Sequence, residues 1–76
     1  MTADEINLAI GGRLAARRRE LRLSLAQVSQ KCGVGLQQIH RYETGHTPLT
    51  TIKLVRLSKC LDVPLGYFFE ALHDRA

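Results

Sequence analysis

Four side chains between Val34 and Gly45 have the chemistry to read a planar, hydrogen-bonding surface: Gln37, Gln38, His40 and Arg41. A glutamine amide offers a donor and an acceptor side by side, and a guanidinium offers parallel donors in a rigid fork. Those patterns pair with the major-groove edges of adenine and guanine respectively. The competing reading is plainer, since an exposed glutamine on a helix ordinarily does no more than face water. Position separates the two, and position depends on the elements around these side chains.

Other chemistry has less support. No nucleophile and base stand at a recognisable spacing, and no paired carboxylates fall in any candidate cleft. Gly11-Gly12 lacks the rest of a phosphate-binding loop, so the chain is not expected to be an enzyme. Cys32 and Cys60 lie far apart in the chain, without a C-x-x-C pattern or a histidine at metal spacing. They are read as two reduced, buried thiols serving as small hydrophobes. His40, His46 and His73 are scattered too, so neither a metal nor another cofactor is expected. No small-molecule effector site is evident.

The elements that must position the four side chains are helical. Apolar residues recur at helical spacing and β-branched residues do not alternate, which predicts an all-α, compact five-helix bundle in a single domain, 1–76. The first helix spans about Asp4 to Arg22, with Ile10, Leu14 and Leu21 on one face. Gly11 and Gly12 lower its propensity, and the acidic end, 1–9, is expected to be loose. Ser24 suits the cap of a second helix, Leu25 to Cys32, which Gly33 ends as a left-handed residue. A third helix runs from about Leu36 to Thr44 and stops at Gly45. Pro48 sits in the next loop, and Thr50 caps a fourth helix, Thr51 to Leu61, where Leu54, Leu57, Ser58 and Leu61 share a face. Pro64 suits the first turn of a fifth helix, in which Leu65, Phe68, Phe69 and Leu72 repeat that spacing. Tyr67, Phe68 and Phe69 read as core, and one of them at the surface would mark a dimer contact. The tail, 73–76, is expected to be loose.

Residues 24–45 meet the demands of two helices joined by a tight bend. Ser29 is small where the helices cross, and Gly33 tolerates a positive φ four positions later. Val34 is apolar just past the bend. Val28 and Cys32 complete the inner face of the first helix, and Ile39 and Tyr42 that of the second. Gln37, Gln38, His40 and Arg41 are then left outside.

Charge agrees with an acidic partner. The net charge is +4 and the pI about 9.6. From Arg13 to Cys60 ten Lys and Arg face two acidic residues, Glu20 and Glu43, while Asp4, Glu5, Asp62, Glu70 and Asp74 lie towards the ends. A basic middle suits a polyanion such as DNA; the alternative is a solvated surface. Arg18 is expected to point inward and Arg17 and Arg19 outward, with Arg13 and Arg22 left open. Lys53, Arg56 and Lys59 read as the solvated face of the fourth helix. No apolar run approaches the length of a bilayer, and the acidic start Met1-Thr-Ala-Asp-Glu5 lacks a secretory pattern, so a cytoplasmic location without membrane contact is expected.

From about Gly12 to Leu72 the chain resembles the phage-repressor and Cro-like (XRE) family of helix-turn-helix proteins, whose fold is the lambda-repressor-like domain. The resemblance rests on Arg18, Leu21, Leu23 and Ser24 ahead of the bend, then Gly33-Val34, Ile39, and Glu43-x-Gly45, followed by a proline and Leu61-Asp-Val63. Leu61-Asp-Val-Pro-Leu-Gly-Tyr-Phe-Phe-Glu70 is similar to a bacterial subgroup with Gln-Gln-Ile in the recognition helix.

The resemblance implies a transcriptional regulator that binds double-stranded DNA as a homodimer. Its recognition helix would be about 36–44, and the dimer contact would involve Leu65 to Leu72. It implies base reading by Leu36 (on a thymine methyl), Gln37, Gln38 and Arg41, with His40 on a base or phosphate. It implies phosphate contacts from Ser24, Arg19, Thr44 and His46, and a buried pair between Arg18 and Glu43. Two positions depart from the pattern: Leu25 stands where the family has Gln, and Ser29 where it has Ala. The alternative function is an antitoxin-like or other protein-interaction regulator on the same fold.

Overall fold

The computed structural model describes residues 1–73. The elements are α1 (Ala3–Glu20), α2 (Leu25–Cys32), α3 (Leu36–Glu43), α4 (Thr51–Cys60), a 3₁₀ helix (Leu65–Phe69) and α5 (Glu70–His73). Of the tail 73–76 only His73, the last residue of α5, falls among the described residues. The described part of the fold is all-α.

Local chemistry explains most of these boundaries. α1 starts at Ala3 rather than after a loose end, because Thr2 and Glu5 form a capping box: the Thr2 Oγ1 accepts from the Glu5 N–H, and the Glu5 carboxylate accepts from the Thr2 N–H. Ile6, in the segment expected to be loose, packs against the core. Ser24 and Gln27 form the same box at the start of α2, and Thr50 caps α4. Gly33, at φ 67°, ends α2 with its N–H on the Ser29 carbonyl at 2.9 Å.

The expected fifth helix divides in two. Its first part is 3₁₀, with the Tyr67 N–H on the Pro64 carbonyl at 3.0 Å. The Tyr67 carbonyl accepts from both the Glu70 N–H and the Arg13 Nε. Phe68 is fully buried, whereas Tyr67 and Phe69 are half-buried.

One apolar cluster draws on every element up to the 3₁₀ helix, with Leu14, Val28, Ile39, Leu57, Leu61 and Phe68 fully buried. α1 packs on α3, the 3₁₀ helix and α5, and α2 packs on α3 and α4. Leu21 was expected on the inner face of α1, but it caps the helix and is exposed.

Gly11 explains how closely α1 approaches α3. A Cβ there would lie 1.9 Å from the Tyr42 carbonyl oxygen, while one on Gly12 would meet nothing within 4 Å. Arg17, expected in solvent, is half-buried: its Nε donates to the Leu61 carbonyl at 2.9 Å, and its guanidinium also pairs with Glu20. Cys32 and Cys60, expected as separate reduced thiols, are joined in a disulfide with their Cα atoms 5.7 Å apart. Folding brings the last turns of α2 and α4 together, a proximity that sequence spacing does not encode.

Candidate nucleic-acid interface

The inner face of α3 is fastened and its outer face is open. Ile39 and Tyr42 are buried, at 0% and 2% exposure. Leu36, Gln37, His40, Arg41 and Thr44 are exposed, and their i, i+3, i+4 spacing puts them on one side of the helix. Gln38 is different. It is half-buried, and its amide donates to the Tyr42 hydroxyl at 2.9 Å. Four of the five residues expected to read bases therefore face solvent, and the fifth lies along the edge of the helix.

The ends of α3 are held by different means. Gly35, Val34 and the Gly33 bend lead into it from α2. At its far end Arg18 reaches across from α1 and grips Glu43 with two bonds, Nε to Oε2 at 2.7 Å and Nη2 to Oε1 at 2.9 Å, and its Nη1 donates to the Leu23 carbonyl at 3.0 Å. The side chains are 14% and 7% exposed. Hydrogen bonding to Glu43 holds the Arg18 proton and raises its pKa above the ordinary value, against the lowering effect of burial. A bidentate, well-shielded pair of this kind fixes orientation as well as distance.

The residues expected to hold phosphate lie on three segments: α1, the start of α2 and the turn after α3. Ser24 is exposed at the start of α2. Its hydroxyl is engaged with the Gln27 N–H at 3.0 Å, and the Leu25 and Ala26 amides have no carbonyl one turn back to bond. Leu25, in place of the family's Gln, packs against the core. Arg19 is exposed on α1. Thr44 and His46 follow α3: the Thr44 hydroxyl bonds the His40 carbonyl at 3.0 Å and lies 3.0 Å from the His46 Nδ1. They flank an open depression that also includes Asp4 and Gly45.

Sequence reasoning missed several positioning residues. Arg13 donates to the Tyr67 carbonyl at 2.9 Å, pairs with Glu70 at 2.5 Å and lies over the Tyr67 ring, 3.8 Å from its centroid. Arg13, Arg17 and Arg18 thus fasten α1 to three different parts of the chain. Helical spacing sets Arg13 and Arg17 one turn apart and Arg18 next to Arg17, but does not say what each meets. In the sequence Gly11 signals only poor helix propensity. The two capping boxes were within reach of the sequence, as Thr-x-x-Glu and Ser-x-x-Gln.

Two short helices meeting at a left-handed glycine, with the second braced from behind and open in front, define a helix-turn-helix protein. The sequence profile of the HTH_3 helix-turn-helix family matches residues 14–68, and the chain belongs to that family. It is 34% identical over 71 residues, 93% of its length, to a protein of Rhodospirillum rubrum named as a transcriptional regulator in the ATPase CF(0) region. It is 34% identical over 65 residues, 86% of its length, to an HTH-type transcriptional regulator of Sinorhizobium medicae. The chain spans 66% of the first relative and 47% of the second.

Among solved structures, the fold is similar to the restriction-modification controller protein C.AhdI from Aeromonas hydrophila (TM-score 0.77, 21% identity, 82% of this chain and 94% of that one). It is also similar to the clp gene regulator ClgR from C. glutamicum (TM-score 0.83, 18% identity, 93% and 94%). The sequence relatives are named as transcriptional regulators, not as enzymes.

Proposed function

We propose that the protein is a transcriptional regulator that binds a specific double-stranded DNA sequence with α3 in the major groove, acting as a dimer. The observation that carries this is the open face of α3. Gln37, His40, Arg41 and Leu36 point away from a helix whose opposite side is pinned by Ile39, Tyr42 and the Arg18–Glu43 pair. A rigid helix with free amide and guanidinium groups has the form that base reading requires. The α2 N-terminus, with Ser24, and the Thr44–His46 loop supply groups for phosphate. Gln38 joins the readers by exchanging its bond to Tyr42 for one to a base, or stays as a brace. The basic middle of the chain and the regulator names of its relatives support the same reading.

The test is selection of bound duplexes from a random pool, followed by affinity measurements across salt. A two-fold symmetric site is expected, with affinity falling steeply as salt rises. Gln37→Ala with Arg41→Ala is expected to abolish preference for that site, each truncated side chain removing about 1–3 kcal/mol of discrimination between bases, with the melting temperature unchanged. Recovery of no preferred sequence, or a double variant that discriminates as well as the parent, counts against the proposal.

A further inference from the structure

The arginine ties of α1 reach α3, the residue that ends α4 and the 3₁₀ helix, and α2 receives none of them. With eight residues, α2 is too short to hold its shape alone. It rests on α3 and α4 through apolar packing and through one covalent link, the Cys32–Cys60 disulfide. Both cysteines are the last residues of their helices, so the bond ties the final turn of α2, just before the Gly33 bend, to the final turn of α4. The loop it closes contains the whole of α3. Cys32 is 7% exposed and Cys60 is half-buried, which makes Cys60 the reachable partner.

We propose that Cys32 and Cys60 form a reversible redox site, oxidised by small-molecule disulfides and reduced by small thiols, whose state sets how firmly the α2–α3 pair is held for DNA. That the two cysteines can bond stands on geometry; the reversibility expected of the bond and its coupling to DNA rest on the function proposed above. In the oxidation, the Cys60 thiolate attacks one sulfur of RSSR and displaces RS⁻. The Cys32 thiolate then attacks the Cys60 sulfur of the mixed disulfide and expels the second RS⁻. Two protein thiols and one RSSR become one protein disulfide and two RSH, so the protein's two electrons and two protons leave with the small thiols. Excess small thiol runs the same steps backwards.

Reduction changes the anchoring of α3. The two sulfurs go from bonding to van der Waals separation, roughly 1.5 Å farther apart, and the loop around α3 is no longer closed. α3 then keeps the Arg18–Glu43 brace at one end and apolar packing at the other. A DNA-binding protein works where thiols are ordinarily kept reduced. A cysteine pair placed to bond in such a protein responds to changes in redox poise.

The test equilibrates the full chain in glutathione buffers from fully reduced to fully oxidised. Alkylation with intact mass reads the thiols, melting reads stability, and titration with the selected duplex reads binding. The expected result is the concerted loss of both alkylatable thiols in a monomeric product, with a melting temperature about 15 °C or more below the oxidised value when reduced. DNA affinity is expected to be at least about threefold weaker in the reduced form, a difference of some 0.6 kcal/mol. The Cys32→Ser, Cys60→Ser double variant should ignore the buffer in all three readouts. Two free thiols in every buffer, or oxidation only to a linked dimer, overturns the redox site. Equal DNA affinity in both forms overturns the coupling. Should neither form bind any duplex, the failure belongs to the proposed function, and alkylation and melting still decide the redox site.

Discussion

Gly11 and Gly12 are identical neighbours in one helix with opposite consequences. At Gly12 a methyl group enters open space, so Gly12→Ala is expected to stabilise the protein by about 0.5–1 kcal/mol through helix propensity. At Gly11 the same methyl meets the Tyr42 backbone at 1.9 Å, and no side-chain rotation relieves a clash with backbone. Gly11→Ala is expected to cost about 1–3 kcal/mol or more. Denaturant unfolding of the two variants side by side checks the sign of each. The Arg18–Glu43 pair is the second test at this scale. Losing one partner strands a buried charge, so Glu43→Leu alone is expected to cost about 3–5 kcal/mol, and adding Arg18→Met should restore part of that loss. Because the pair raises the pKa of Arg18, the stability linked to that proton is present at every pH below the ordinary arginine value and is lost only above it.

Three helices end in the same hydrogen-bonded turn, and only one of them uses glycine. After α1, Leu23 N–H bonds the Arg18 carbonyl at 3.0 Å with Arg22 at φ 58°. After α3, His46 N–H bonds the Arg41 carbonyl at 2.9 Å with Gly45 at φ 76°. After α4, Val63 N–H bonds the Ser58 carbonyl at 3.0 Å with Asp62 at φ 56°. Each is a six-to-one closure around a left-handed residue. The glycine stands where a Cβ would come within 3.1–3.3 Å of Leu8; it answers packing as well as φ. Arg22 is exposed, so Arg22→Gly is expected to relieve left-handed strain and stabilise by up to about 1 kcal/mol. Gly45→Ala should destabilise, and thermal melts of both distinguish the causes.

For the molecule as a whole, size bears on how DNA would be read. The fold measures 34 × 22 × 22 Å, and equivalent half-sites on a duplex lie about 34 Å apart per turn. One copy is thus about as long as one turn of duplex, the scale on which the proposed dimer would work. Leu65 is 40% exposed, in the same short segment as half-buried Tyr67, Phe69 and Leu72, which makes it the residue to test for the contact of the proposed dimer. Leu65→Glu is expected to shift sedimentation towards monomer and to weaken binding to the symmetric site more than to a half-site. An unchanged dimer would move the interface elsewhere.

Many features that act within a turn or two of helix were legible in the residue order. Ser24, Gly33, Thr50 and the 3.6-residue spacing located the helices, and the apolar Ile39 and Tyr42 told which side of α3 faces out, because capping and amphipathicity are short-range. The mates of Arg13 and Arg17, the close approach at Gly11, the bond between Cys32 and Cys60 and the leaning of Gln38 on Tyr42 emerged only in the folded chain. Most of these join residues tens of positions apart, and helical periodicity says which way a side chain points but not what another helix will bring to meet it.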